Sequence, residues 1–290
     1  MYSNLMNNQI PKAPLKDRMI VYVGVASIIL VSWAYIIGMG WHMGTLPFSE
    51  PMQMDMNTMD MDKMDMAMDN QGGLINSLIT WMPPSQGGWL SSDFFLLFLM
   101  WSVMMIAMMT PSILPMVMLF TAINEKNKTQ NKPYASPFNL LFGYLLSWIL
   151  FSLVITLPQY SLHQAELLNP MMEPTHAYVG VLFLILAGLY QFTPFKDACL
   201  SVCQSPLSFM MNNWRDGNLG AFLIGYKHGF YCVGCCWVLM LTLFALGVMN
   251  IMWVAILTIF VLFEKLSYKY PKQYRYVTGV IFILWGLFLI

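Results

Sequence analysis

Seven apolar runs, at about residues 19–39, 94–122, 138–157, 177–194, 219–246, 250–264 and 277–290, leave little room for any soluble architecture. In hydrocarbon every backbone polar group must be satisfied inside the protein, which restricts spanning structures to helices and closed barrels. Continuous apolar runs near 20 residues point to helices rather than to the alternating strands of a barrel. The sequence therefore predicts an all-α, polytopic transmembrane helix bundle of about seven spans, the last two short. Composition agrees: 58% of the 290 residues are hydrophobic and 10% charged, far too apolar for a soluble domain. Net charge is zero, so no bulk electrostatic argument favours a nucleic-acid partner.

Basic residues set the orientation. Lys12, Lys16 and Arg18 precede the first run, and Lys126, Lys128 and Lys132 separate the second from the third. Lys196 and Arg215 fall between the fourth and fifth, and Lys265, Lys269, Lys272 and Arg275 between the sixth and seventh. These are 12 of the 14 Lys and Arg; Lys63 alone lies opposite, and Lys227 lies within a span, where it either snorkels or gates a cation. The positive-inside rule then predicts a cytoplasmic N-terminus and an external C-terminus. The first run is longer than a secretion-signal core and lacks an A-x-A-like cleavage site, so it reads as a retained span. The chain reads as a single integral membrane domain, 1–290, with lipid around it and one long external loop at 41–92.

That loop is chemically biased. Met52, Met54, Met56, Met59, Met61, Met64, Met66 and Met68 alternate with Asp55, Asp60, Asp62, Asp65 and Asp69. Alternating thioether and carboxylate gives no continuous apolar face, so the stretch reads as disordered without a ligand. Thioethers are soft, neutral donors suited to Cu(I) or Ag(I). His42 and Met43 could add donors at its start, and an acidic linker is the plain alternative.

The fifth run holds the most specific pattern. In GYKHGFYCVGCCWVLM, His228, Cys232, Cys235 and Cys236 stand at offsets 0, 4, 7 and 8, which project to about 0°, 40°, −20° and 80° around a helix. All four share one face. Imidazole and thiolate together select Cu(I) or zinc over hard cations, and ionisable groups inside a span usually face the bundle interior. The rise from His228 to Cys236, about 12 Å, is too long for one ion. The set must serve two sites, or one site completed by another helix. Gly225, Gly229 and Gly234 permit close helix approach and are expected to bring the second span within reach.

That second span, FLLFLMWSVMMIAMMTPSILPMVM, carries Met100, Met104 and Met108 at i, i+4, i+8, with Met105 and Met109 as an adjacent stripe. Methionine commonly just fills gaps, but a stripe running from a methionine-rich loop toward a thiol helix suits weak Cu(I) relay ligands. On the cytoplasmic side, Cys199 and Cys203 in FKDACLSVCQSP are one helical turn apart and could hold a two-coordinate Cu(I), or equally stand as unpaired structural thiols. Lys196 and Asp197 beside them read as solvated charges. His163, Glu166, Glu173 and His176 could form a harder external site for Cu(II) or zinc, although Pro158, Pro170 and Pro174 make that loop irregular and a merely solvated loop is the better reading.

MWSVMMIAMMTPSILP, GLYQFTPFKDACLSVCQSP, YKHGFYCVGCCW and GVMNIMWVAILTIFVLFEKL together resemble a bacterial family of metal-binding integral membrane proteins, formerly a domain of unknown function and described as a copper chaperone of a tyrosinase-like polyphenol oxidase. The resemblance covers about residues 93–266. It implies metal binding at His228, Cys232, Cys235, Cys236, Cys199 and Cys203, less securely at the methionines of the second span, and it does not extend to the Met/Asp loop.

The leading expectation is a non-enzymatic Cu(I)-binding membrane protein, zinc ranking behind copper, that captures copper outside and passes it to the cytoplasm, a cuproenzyme or a copper carrier. The alternative is a membrane thiol oxidoreductase built on the C-x-x-C of Cys232 and Cys235, or a subunit of a membrane metalloenzyme. No C-x-x-C-H haem motif and no phosphate-binding G-x-x-x-x-G-K-[ST] loop occurs.

Overall fold

The computed structural model describes residues 15–42, 81, 83–84, 89–131, 133–169, 172–267 and 271–289. Among these the protein is helical, with one isolated bridge, Leu168 to Pro174, as its only extended pairing. The helices are α1 (Leu15–His42), α2 (Ser91–Thr129), α3 (Pro137–Gln164), α4 (Ala177–Gln191) and α5 (Pro194–Gln204). They continue as α6 (Pro206–Asn213), α7 (Gly217–Leu241), α8 (Leu243–Leu246), α9 (Ile251–Leu266) and α10 (Pro271–Phe288). The Met/Asp loop and Met43 lie outside the described residues.

Each of the seven apolar runs forms helix. Among the described residues, four helices are long and apolar enough to cross a membrane: Arg18–His42, Ser91–Thr129, Pro137–Gln164 and Gly217–Leu246. A fifth span results if α4 and α5, bent by 69° at their junction, count as one. The shorter α9 and α10 fall outside that group, so the number of spans directly supported is four or five rather than seven.

Local chemistry explains several boundaries. Ser136 caps α3 by accepting from the Phe138 N–H, with Pro137 in the first turn. Thr193 does the same for α5, its hydroxyl accepting from the Lys196 N–H at 3.3 Å while Pro194 opens the helix. A proline biases the residue before it out of the helical region, so Thr193-Pro194 ends α4 and redirects the chain. Asn250 caps α9 through the Trp253 N–H. Pro111 and Pro115 lie inside α2 without ending it.

The core is assembled around α7, which packs most extensively on α3 and also on α5. α2 bridges α1, α3 and α9, while α10 covers α4. The α3–α7 seam is close because a Cβ at Gly143 would collide with the Phe222 carbonyl and one at Gly225 with the Leu140 carbonyl. At Gly229 a Cβ would fall 2.6 Å from Ser147 Oγ. The α7 glycines thus admit α3, and Gly234 admits α5; the close approach is not to α2, as the sequence suggested. Large apolar side chains cover much of the outer surface, including Leu150, Leu153, Val154 and Leu157 on α3 and Val277, Val280, Ile281 and Leu284 on α10.

Candidate metal centre

The helical pitch aligns His228, Cys232, Cys235 and Cys236 on the face of α7 that turns inward, and all four are buried. The 69° bend before α5 brings Cys203 to the same place. Sγ atoms of Cys203, Cys232 and Cys235 lie within 4.8 Å of one another, and this is the one group of three or more His, Cys, Asp or Glu ligands found so close among the described residues. Cys203 Sγ is 3.9 Å from Cys235 Sγ, and Cys235 Sγ is 3.2 Å from Cys236 Sγ. Cys235 Sγ also donates to the Cys232 carbonyl at 3.1 Å, the helix's own backbone absorbing a weak thiol donor. All five cysteines are free thiols.

Two helices thus complete what one could not. Of the two arrangements left open by the length of the α7 set, the geometry corresponds to a site closed from another helix, and α5 supplies the third sulfur. Three thiols in an apolar interior form a soft donor set matched to Cu(I) and usable by zinc.

The neighbouring residues sort themselves around this group. Cys199 is buried but turned to Gly234, whose Cβ would sit 2.9 Å from its Sγ, and it does not join the three-sulfur group. His228 packs against Phe209 and Tyr144, with ring centroids 5.2 and 6.1 Å away, and its Nδ1 finds no hydrogen-bond partner among the described residues. It too stands outside the three-sulfur group. Met100, Met104, Met105, Met108 and Met109 are all buried along α2, forming an internal thioether column rather than a lipid-facing one. His163 and His176 gather no such ligand group; His176 Nδ1 instead pairs with Thr175 Oγ1 at 2.9 Å.

The sequence reading missed Lys265. Counted there as a loop charge, it sits in the last turn of α9 with its side chain buried, and its Nζ donates to Cys232 Sγ at 2.8 Å and to Ser112 Oγ at 2.9 Å. Met109 Sδ is 3.8 Å from the same nitrogen. Tyr144, also unmarked, places its hydroxyl 3.1 Å from Cys232 Sγ, 3.0 Å from Ser112 Oγ and 3.2 Å from the Met109 carbonyl, to which it donates. A Glu-Lys pair closing an apolar run was the available signal; nothing marked Tyr144 beyond its place in an apolar helix.

A second correction concerns Lys196, which is not solvated. Its side chain is 0% exposed and pairs with Glu264 at 2.8 Å, joining α5 to α9. Gln204 Nε2 donates to the Glu264 carbonyl at 2.9 Å, and Asp197, itself partly exposed, pairs with Arg275 of α10 at 3.2 Å. These contacts bracket Cys203 and hold its helix in place. Lys227 is exposed, its Nζ donating to Asn213 Oδ1 at 2.6 Å, away from the inward face of α7.

Fold and site together define an all-helical protein whose apolar interior presents a cluster of soft ligands. A family model described as PpoB2, copper chaperone, matches residues 98–289, and the chain belongs to that family. The match covers α7, α5 and α9, and so every residue of the thiol cluster and its lysine. No curated protein and no solved structure gives a significant match.

Proposed function

We propose that this protein is an integral membrane copper chaperone that holds Cu(I) on Cys203, Cys232 and Cys235 and passes it on to a cuproenzyme or to the cytoplasm. The observation that carries this reading is the meeting of three sulfurs from two helices within 4.8 Å inside an apolar core. Thiolate favours the monovalent, soft state of copper. Cys236 and His228, on the same face of α7, and Met109, beside Lys265, are the reserve donors through which an ion would enter or leave, and the methionine column of α2 serves as the approach. Met52, Met54, Met56, Met59, Met61, Met64, Met66 and Met68 gather copper on the external side. Cys199 supports the packing of α5 on α7 and is at most an auxiliary ligand.

The chain is embedded in the bacterial inner membrane with its N-terminus cytoplasmic. All seven apolar runs lie in the bilayer, α4 and α5 as one broken span. The broad apolar exterior supports this reading. The oxidoreductase alternative is weakened by burial: Cys232 and Cys235 are 1% and 0% exposed, so neither sulfur of that C-x-x-C pair is open to in-line attack by a partner thiol.

The deciding experiment is copper analysis of detergent-purified wild type and Cys232→Ser, each washed with a Cu(I) chelator. Wild type should retain copper and the variant should lose it while still inserting into membranes. Equal copper in both would leave the intramembrane site without support.

A further inference from the structure

Lys265 presents a buried cation that the proposed copper site does not need as a ligand and cannot ignore. Its ammonium is seated on one sulfur of the group, Cys232 Sγ at 2.8 Å, on the Ser112 hydroxyl at 2.9 Å, and against the Met109 thioether at 3.8 Å. A thiol sulfur and a thioether are the surroundings of a soft monovalent cation, and here the protein's own monovalent cation occupies them. The adjacent carboxylate is not available to it, since Glu264 is engaged by Lys196 at 2.8 and 3.0 Å. Among the described residues, Cys232 is therefore the acidic side chain on which the Lys265 ammonium rests directly. A metal ion bound to the Cys232 sulfur would set two cations side by side in a low-dielectric interior, where like charges repel strongly. Lys265 also has a way out. It is one residue from the end of α9 at Leu266, and a four-carbon stem in the last turn can carry its ammonium to the polar end of the helix.

We propose that Lys265 is a displaceable internal counter-cation: copper entering the Cys203–Cys232–Cys235 group expels its ammonium, and the ammonium's return helps release copper to an acceptor. This rests on the metal reading of those three thiols. In the exchange the ammonium–sulfur contact breaks and a copper–sulfur bond forms. Lys265 keeps its protons, any proton still on Cys203, Cys232 or Cys235 leaves to water, and copper remains Cu(I), so no oxidant or reductant is required. By linkage, a group that competes with the metal in the loaded state weakens its hold by the same factor that the metal weakens the group's contact. A chaperone gains from that: the empty thiolate is stabilised, and the loaded one is not a trap.

The test uses purified full-length protein and Ag(I), a redox-inert monovalent soft ion. An amine-acylating reagent is applied at fixed pH with and without silver, and modification of Lys265 is read by peptide mass mapping, with exposed Lys227 as reference. Lys265 should react several-fold faster relative to Lys227 once silver is bound. Lys265→Gln, which keeps a hydrogen-bonding side chain but no charge, should retain silver several-fold longer against a competing chelator. Silver content is compared in parallel with Cys232→Ser. If wild type and Cys232→Ser hold equal silver, the thiol site and this inference both fall. If Cys232→Ser loses silver but Lys265 in wild type stays as protected as before, or Lys265→Gln releases silver faster, the displacement alone is overturned.

Discussion

Cys203 Sγ stands 3.9 Å from Cys235 Sγ although the two residues belong to helices that meet only because the chain turns by 69° between α4 and α5. Cys199, one turn earlier on the same helix, faces Gly234 instead. The two cysteines of the α5 pair therefore have separable roles. Cys203→Ser should weaken copper retention by more than the roughly 10–100-fold typical of losing an outer-shell partner, because serine exchanges a soft donor for a hard one. Cys199→Ser should leave retention nearly unchanged. Competition with a graded series of Cu(I) chelators measures both, and equal losses would mean that the pair binds copper as a unit.

The Lys196–Glu264 pair fixes α5 against α9 from the interior, both side chains being at most 1% exposed. Removing one charge leaves the other buried and unpaired, at a cost of about 3–5 kcal/mol, whereas replacing both with apolar residues can be close to neutral. Glu264→Leu should lower the thermal unfolding midpoint in detergent sharply, and Lys196→Met combined with Glu264→Leu should recover most of it. A double variant as unstable as the single one would show that the pair is not buried against α9 in this way.

Much of this arrangement could be read from the chain. Apolar runs gave the helices because length and continuity are one-dimensional properties, and the thiol face of α7 followed from pitch alone. The residues that escaped depend on angles between elements. Choosing Cys203 over Cys199 requires knowing how far α5 turns after Thr193-Pro194, which a proline signals but does not measure. Lys265, Lys196 and Arg275 escaped for a different reason: counting basic residues by loop assumes each is solvated, and here these three are held inside, paired with Cys232, Glu264 and Asp197. The α7 glycines announced a close approach, yet only packing decides which neighbour takes it, and α3 does at Gly225 and Gly229.

That seam makes its own prediction. A Cβ at Gly225 meets the Leu140 carbonyl, which is backbone and cannot rotate away. Gly225→Ala should therefore destabilise the protein by at least the ~1–3 kcal/mol of an overpacked core. At Gly180 the nearest atom to a Cβ is the Ala245 carbonyl oxygen at 3.6 Å, an ordinary contact, so Gly180→Ala should be tolerated. Unfolding midpoints of the two variants, measured side by side, check the contrast, and comparable losses would contradict the close α3–α7 approach.

The external loop can be tested apart from the helices. A peptide spanning residues 50–70 should bind Cu(I) and Ag(I) through its thioethers and Zn²⁺ only weakly, since neutral sulfur discriminates by softness and isolated aspartates chelate poorly. Calorimetric titration with silver and zinc distinguishes the donors; equal affinity would assign any binding to the aspartates.

Orientation is the remaining expectation, and it can be made to test the short helices as well. Even without the buried Lys196, Lys265 and Arg275, the bias of nine basic residues against one predicts Gln71 outside and Asn127 inside. A reporter active only outside the cytoplasm should therefore work when fused after Gln71 and fail after Asn127. α9 has 16 residues and α10 has 18, lengths of about 24 and 27 Å against a hydrocarbon core of roughly 30 Å. Mismatch of that size costs only fractions of a kcal/mol per Å and is met by local thinning of the bilayer or by snorkelling ends, so both helices can span. The reporter should accordingly fail after Ser267 and work after Ile290. Activity after both Gln71 and Ser267 would remove α9 from the set of spans, inactivity after both Ser267 and Ile290 would remove α10, and inversion of the whole pattern would reverse the direction from which copper reaches Cys232.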